Sequence, residues 1–197
     1  GIYIVDSNAD LDNITIDDNS VIPDDGNGGF GGGGISSDNS NLNILNSTIS
    51  NNSSTYDGGG IMSHNSNLTI NNTVINNNES IAYSSGGGLC LSDSDLIINN
   101  STISNNQTTN YGGGITLFNS GADLDNVTVQ NNTSNADGGG IYINSNENDV
   151  YLSNSLFINN LSLNHGGGIA SLSSSAYLYD STISDNESNR GGGIFIQ

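Results

Sequence analysis

Apolar residues recur at every second position in short segments of this chain. In the clearest segments two aliphatic residues flank a polar one, as in Leu42-Asn43-Ile44 and Leu68-Thr69-Ile70, and Ile49 or Ile75 follows five residues later. A spacing of two places side chains on one face of a strand, whereas a helix needs apolar residues three and four apart. The pattern therefore predicts short strands with one buried face, and no helix.

These segments return at a period marked by a run of glycines that leads into an aliphatic residue. Seven such runs end at Ile35, Ile61, Leu89, Ile115, Ile141, Ile169 and Ile194. Counted from the matching start at Ile2, the steps are 25 to 33 residues long. Self-similarity at such a period is typical of a solenoid, in which each repeat forms one coil. We therefore expect about seven coils.

Each coil is expected to contain three short strands. The first follows the glycines, the second contains the alternating aliphatic pair, and the third surrounds the residue equivalent to Ile49. Turn formers such as Asn39–Asn41 separate the first two strands, and a recurring Asn, Asn46 in this copy, marks the next corner. Parallel crossovers are nearly always right-handed. The predicted fold is all-β, a right-handed parallel β-helix that forms a single solenoid over residues 1–197.

One asparagine position is filled in every coil. Its members are Asn19, Asn52, Asn78, Asn106, Asn132, Asn160 and Asn186. Amides stacked at the spacing of strands can hydrogen-bond along the column, and Asn tolerates a left-handed backbone. The glycines are expected to permit positive φ and close packing at the third corner. We interpret both columns as structural.

Charge narrows the range of partners. Twenty Asp and Glu residues face one Arg, no Lys and two His, which gives a formal net charge of −19. Such a chain has no means of binding nucleic acid or anionic lipid surfaces electrostatically. It also lacks an apolar run long enough for insertion into a membrane. An acidic, Lys-free surface favours an extracellular or cell-surface location.

Two sets of residues are candidate contact surfaces. The segments between the invariant Asn and the glycines vary between coils, which is where solenoids often bind ligands. They form a candidate contact ridge that contains Tyr56, Tyr83, Tyr111, His165 and Arg190. The residue after each glycine-aliphatic run should point outward. That column is a candidate lateral stripe for another chain or a covering segment, and its large members are Tyr3, Met62, Tyr142 and Phe195.

Carboxylates give the weaker candidates. Asp24 and Asp25, in a loop rich in Gly and Asn, are a candidate calcium site, and no other cofactor is expected. Carboxylate pairs two residues apart, Asp10/Asp12 and Asp123/Asp125, have a spacing near that of inverting glycosidases. No base accompanies either pair, and Asp93/Asp95 lies at a turn. In the aligned columns no acid stands directly above another, which minimises repulsion instead of building a metal cage.

The run from Leu42 to Asn52, followed by Gly58-Gly59-Gly60-Ile61, resembles the β-helical repeats of large bacterial and archaeal surface proteins. These include adhesin-like proteins and polymorphic outer-membrane protein repeats. Phe157-Ile158-Asn159-Asn160 with Gly166-Gly167-Gly168-Ile169 is the closest copy in this chain. The resemblance extends over the whole chain. It implies a β-helix, exposure at the surface, and adhesion or scaffolding, and it carries no catalytic residue with it.

Three functions remain open at this stage. The favoured one is a non-catalytic extracellular surface protein, as a stalk or adhesin segment or a filament subunit. Its partners would be further copies stacked end to end, adjoining segments of the same chain, or a cell-surface or glycan ligand. The alternatives are a polysaccharide lyase or hydrolase, and an ice-binding protein. The last rests on an interrupted outward column of Thr15, Thr48, Thr102, Thr128 and Thr182.

Overall fold

The computed structural model describes residues 1–22, 31–82, 84–145 and 148–197. These residues form four parallel sheets, in which each strand pairs with its copy in the neighbouring coil. The register aligns equivalent positions, so that Leu68 pairs with Leu96 and Ile75 with Ile103. The predicted class, an all-β parallel β-helix, is confirmed. We number the coils from one, which begins at Ile2, to seven, which begins at Ile169.

The strands are distributed as follows. The first sheet contains Ile2–Val5, Ile35–Asp38, Ile61–His64, Leu89–Ser92, Ile115–Phe118, Ile141–Asn144, Ile169–Ser171 and Ile194–Ile196. The second contains Asn8–Asp12, Asn41–Leu45, Asn67–Asn71, Asp95–Asn99, Gly121–Asp125, Asp149–Ser153 and Ser175–Tyr179. The third contains Thr15–Asp17, Thr48–Ser50, Val74–Asn76, Thr102–Ser104, Thr128–Gln130, Leu156–Ile158 and Thr182–Ser184. The fourth contains Ser20–Val21, Ser53–Ser54, Glu79–Ser80, Gln107–Thr108, Thr133–Ser134 and Leu161–Ser162.

The expectation of three strands per coil is wrong, because each complete coil has four. The fourth strand is two residues long and follows the invariant Asn directly. Its inward residue is a buried Ser or Thr in coils two to six, not an aliphatic residue, so it has no apolar signature. The hydroxyl groups bind the loop of the preceding coil: Ser80 Oγ donates to the Tyr56 carbonyl at 3.2 Å and Ser162 Oγ to the Ala136 carbonyl at 2.6 Å.

The coil count also differs from the prediction. Coils one to six have all four strands, whereas coil seven has three. On the fourth side of coil seven, the described residues form only isolated bridges, Leu161 with Glu187 and His165 with Arg190. The chain therefore forms six complete coils and a seventh that lacks its fourth strand, followed by the strand Ile194–Ile196.

A single apolar column fills the centre of the stack. Each of the first three sheets contributes aliphatic side chains, among them Ile141, Leu124 and Ile103, all fully buried. Phe157 is the largest side chain in this core. The residues expected to point inward therefore form the core, and the strand spacing of two is what places them there.

Asparagine residues make the corners. The corner residue Asn46 has φ of 50°, and its copies in the other coils are also left-handed, as are turn residues such as Asn39 and Asn65. A third left-handed series, which includes Asn51 and Asn77, directly precedes the invariant Asn. The left-handed backbone therefore belongs to the residue before the invariant Asn, not to the invariant Asn itself.

The invariant Asn side chains form a continuous hydrogen-bonded column, which we call the amide ladder. Asn106 is representative. Its Oδ1 accepts from the Asn78 backbone N–H at 2.9 Å and from Asn78 Nδ2 at 3.0 Å. Its Nδ2 donates to the Ile75 carbonyl at 3.1 Å and to Asn132 Oδ1 at 3.0 Å. Each buried amide thus ties its own coil to both neighbours, and the structural interpretation of this column is confirmed.

The glycines allow backbones to approach each other at the remaining corner. Gly112 has φ of +64°, a conformation that L side chains rarely adopt. A Cβ on Gly113 would lie 2.4 Å from the Gly139 carbonyl oxygen and 2.6 Å from the Thr133 nitrogen. The first glycine therefore supplies a turn conformation, and the second supplies space between coils.

Candidate functional site

The structure brings residues of the contact ridge onto residues of the lateral stripe. The Tyr111 ring stacks on Tyr142, with centroids 4.4 Å apart and planes 17° from parallel. His165 stacks on Phe195 in the same manner, at 4.4 Å and 24°. Because the loop before the glycines folds back over the first sheet, aromatic residues from the two predicted sets form pairs. The two sets are thus parts of one layer.

The stripe is not the exposed surface that its outward position suggested. Met62 is 2% exposed and Tyr142 3%, although neither belongs to the central core. Tyr3 is 65% exposed, and Phe195 is half-buried. Sequence spacing gives the direction of a side chain but not the path of the loop above it. The expectation of an outward direction agrees with the structure, whereas the expectation of an open stripe is wrong for Met62 and Tyr142.

The ridge residues His165, Arg190 and Tyr56 belong to three different coils, and His165 contacts an acid of the preceding coil. Asp137 Oδ1 lies 2.8 Å from His165 Nδ1 and accepts from the His165 backbone N–H at 3.1 Å. Arg190 is exposed and Tyr56 is half-buried, with its ring beside Gly31. Tyr83 lies outside the described residues, as do both members of the calcium candidate, Asp24 and Asp25. Within the described ranges, no group of three or more His, Cys, Asp or Glu side chains could hold a metal ion.

Acidic side chains are paired with neutral donors from the next coil. Asp17 Oδ1 accepts from Ser50 Oγ at 2.6 Å and from Asn51 Nδ2 at 2.7 Å, and these hydrogen bonds lower the pKa of Asp17. Asn119 Nδ2 donates to Asp93 at 2.6 Å, and this is the largest cause of the lowered pKa of Asp93. Asn and Ser therefore stabilise carboxylates that have almost no cationic partners in this chain.

The expected dispersal of acids is confirmed in the described register. Asp123 pairs with Ile97 and Tyr151, and Asp125 pairs with Asn99 and Ser153. Asn154 Nδ2 and Ser153 Oγ also donate to Asp125 and lower its pKa. No register pair among the described strands joins two acids, so repulsion along the stack is kept low.

Asp57 is the exception among the acids. Its side chain is half-buried, and this burial raises the pKa of Asp57. The Ser85 backbone N–H donates to its Oδ1 at 2.6 Å and partly offsets the effect. The Ser85 N–H stabilises the carboxylate. The environment of Asp57 therefore resembles that of a structural residue more than that of a member of a catalytic acid–base pair.

A polar cavity of about 440 Å³ opens at the first corner of the coils. It is lined by the turn residues of coils three to six, including Asp93, Asp95 and Asn119. The Asp93/Asp95 pair therefore lies in a concave surface. Its lining is made of Asn, Ser and Asp side chains, with no aromatic or basic residue among those that the structure describes.

An exposed aromatic cluster on the second sheet was not anticipated. Tyr151 and Tyr177 stack on the outer face with centroids 5.1 Å apart and planes 15° from parallel. Tyr179 lies two residues after Tyr177 on the same strand and is 53% exposed. Both members of the stacked pair occupy the position between the alternating core residues of their coils. Comparing outward positions between neighbouring coils would have found this pair, because equivalent residues become register partners.

The outward threonines lie in register on the third sheet. Thr48 pairs with Val74, Val74 with Thr102, and Thr128 with Leu156. Thr15 and Thr182 belong to the same column, at its two ends. The strands of this sheet are three residues long, so the column is narrow and the apolar residues interrupt it.

Comparisons with known proteins agree with this architecture. The family described as right handed beta helix region matches residues 1–134, and the Chlamydia polymorphic membrane protein repeat matches residues 126–144. No curated protein and no solved structure matches the chain. In the part of the chain that the structure describes, there is no helix that could span a membrane. Because the first match covers more than half of the sequence, this chain belongs to the right-handed β-helix family, and its residues 126–144 are similar to a repeat of polymorphic membrane proteins.

Proposed function

We propose that this chain is a non-catalytic segment of an extracellular surface protein, which acts as a stalk or adhesin module. The match to a polymorphic membrane protein repeat supports exposure at a cell surface. The observation that carries the proposal is the uninterrupted amide ladder, which joins every coil from Asn19 to Asn186. Solenoids of this kind are extended scaffolds with large lateral surfaces, a shape suited to display at a distance.

The acidic residues support a role without catalysis. Glycoside cleavage needs a general acid whose pKa is raised so that it is protonated near neutral pH. In the Asp123/Asp125 pair the pKa of Asp125 is lowered by Asn154 and Ser153. In the Asp93/Asp95 pair the pKa of Asp93 is lowered, chiefly by Asn119. These hydrogen bonds favour the ionised forms of Asp125 and Asp93, which suits surface charges better than a general acid.

The proposal extends to end-to-end stacking. The edge strands of the first sheet are Ile2–Val5 and Ile194–Ile196, which both begin with an isoleucine-aromatic-isoleucine sequence. Inside the stack the same position pairs Ile141 with Ile169. An unpaired strand edge can pair with a matching one. Joined in this way, copies would form a filament, and light scattering would show a mass that increases with concentration.

Surface labelling of cells that produce the protein tests the proposed function. An antibody raised against the purified chain should label intact cells as strongly as permeabilised ones. An antibody against a cytosolic protein, applied in parallel, should label cells only after permeabilisation. This control shows that the untreated cells are intact. Labelling of this chain only after permeabilisation would contradict the proposal.

A further inference from the structure

The exposed aromatic cluster contains an open ring face. Tyr151 pairs with Tyr177 on one side and with Asp123 on the other. Since the ring stacks on Tyr177, its opposite face is directed along the sheet toward the row of Asp123. Tyr151 is 40% exposed and Asp123 is exposed. One face of the Tyr151 ring is therefore accessible to a ligand, whereas aromatic faces are usually buried in a core.

A short side chain beside this face leaves a notch in the outer surface. The next row beyond Asp123 contains Ile97, which is 48% exposed. Adjacent strands lie about 4.8 Å apart, so the rows of Tyr151 and Ile97 are separated by roughly 10 Å. Asp123 forms the floor between these two larger side chains. We call this arrangement the Tyr151 notch.

The chemistry of the notch favours a cation. The face of an aromatic ring carries partial negative charge, and a cation within about 6 Å of it is attracted. The Asp123 carboxylate adds a full negative charge beside the same space. On the outer edge, Tyr151 Oη donates to Asp149 Oδ2 at 3.1 Å, so a second carboxylate is fixed nearby. A neutral ligand would use the ring but would gain nothing from the charges.

The cation must come from outside these 197 residues. Arg190 is the only Arg or Lys of the sequence, and its backbone pairs with His165 on the loop side of coil seven. A net charge of −19 also attracts basic partners over distance and repels anionic ones. Arginine fits better than lysine, because its flat guanidinium can stack on the ring while its N–H groups reach a carboxylate.

We propose that the Tyr151 notch binds an arginine side chain from a basic segment of a partner protein. The inference rests on the proposed surface function and names the class of partner that the surface would recognise. The guanidinium stacks on the free face of Tyr151, donates to Asp123, and contacts Ile97 with its aliphatic stem. Tyr177 stacks on the opposite face of the ring and supports it from behind.

Titration of the purified chain with a capped tetra-arginine peptide at low salt tests this inference. Tyr151→Leu should weaken binding about 2- to 5-fold, and Asp123→Asn by a similar factor, given the usual strength of such exposed contacts. Tyr151→Phe keeps the ring and should retain most of the affinity, since it loses only the hydroxyl that bonds to Asp149. Asp10→Asn removes the same charge from the same column, four coils away, and should also leave the affinity unchanged. Circular dichroism confirms that each variant is folded.

Several outcomes would overturn the inference. Absence of peptide binding would do so, as would equal weakening by Asp10→Asn and Asp123→Asn, which would indicate attraction by net charge alone. Cellotetraose serves as a neutral glycan probe. If it bound, lost affinity with Tyr151→Leu and ignored Asp123→Asn, the notch would be a sugar site instead. Because the titration uses purified components, its failure would leave the result of surface labelling unaffected.

Discussion

Replacing Ile103 by Asp is expected to abolish cooperative folding. Ile103 is fully buried at the centre of the third sheet, between Ile75 and Val129 in the neighbouring coils. An ionised carboxylate at this position would have no partner in an apolar core, a situation that destabilises proteins by more than about 4 kcal/mol. Since domains are stable by only about 5–15 kcal/mol, the variant should lose most or all of its thermal transition.

The neighbouring residue provides a matched control for this variant. Thr102 lies on the same strand but on its outer face, where it is half-buried. Thr102→Asp introduces the same charge at the surface and should cost about 1 kcal/mol or less, a shift of a few degrees in a chain of this size. Melting curves in which Ile103→Asp and Thr102→Asp behave alike would contradict the assignment of inward and outward faces.

Replacing Asn106 by Leu should have the second largest effect. Leucine has a similar volume but leaves the Asn78 N–H and the Ile75 carbonyl without their partners in the amide ladder. It also removes the hydrogen bond between Nδ2 and Asn132. A buried group without a partner costs about 1–3 kcal/mol, so a loss of roughly 3–6 kcal/mol is expected.

Asn99 in the same coil allows a direct comparison by denaturant unfolding. It lies half-buried on the outer face of the second sheet, outside the amide ladder. Asn99→Leu should therefore change the free energy of unfolding by less than about 1 kcal/mol. If Asn106→Leu proved as mild as Asn99→Leu, hydrogen bonds along the ladder would contribute little to holding the coils together.

The core and the corners could be predicted because their chemistry repeats. Residues such as Ile49, Ile75 and Ile103 are equivalent in sequence, and parallel pairing makes them neighbours in space. The corner asparagines were recognised for a similar reason, since few residues other than Gly and Asn adopt a left-handed backbone. The period alone thus specified most of the cross-section of a coil.

The fourth strand was missed because its inward residue is Ser or Thr in coils two to six, so no recurring apolar residue marks its inward face. Ser54 and Ser134 are fully buried, yet their sequence context is that of a polar turn. Their burial depends on loop carbonyls that accept from the hydroxyl groups, as Gly31 does for Ser54. Contacts of this kind follow from the path of the loop, which differs from coil to coil and has no period.

The surface residues also divide into those that a repeating pattern predicts and those whose positions depend on the loops. The dispersal of acids was visible in aligned columns, whereas the covering of Met62 and Tyr142 was not, because it depends on loop residues such as Tyr111. The Tyr151 notch was missed for a different reason. Its residues come from three different coils, and only the register shows that Asp123 stands between Tyr151 and Ile97.

Hydrogen exchange measured by mass spectrometry tests the central claim, that four-sided coils joined by the amide ladder form one cooperative stack. In the wild type, peptides from the fourth sheet, such as those that contain Gln107–Thr108 and Thr133–Ser134, should exchange as slowly as those that contain Ile103 or Leu124. In Asn106→Leu, protection should fall on all four sides of coils three to five together. Rapid exchange of the fourth sheet in the wild type, with the other three sheets still protected, would contradict the account.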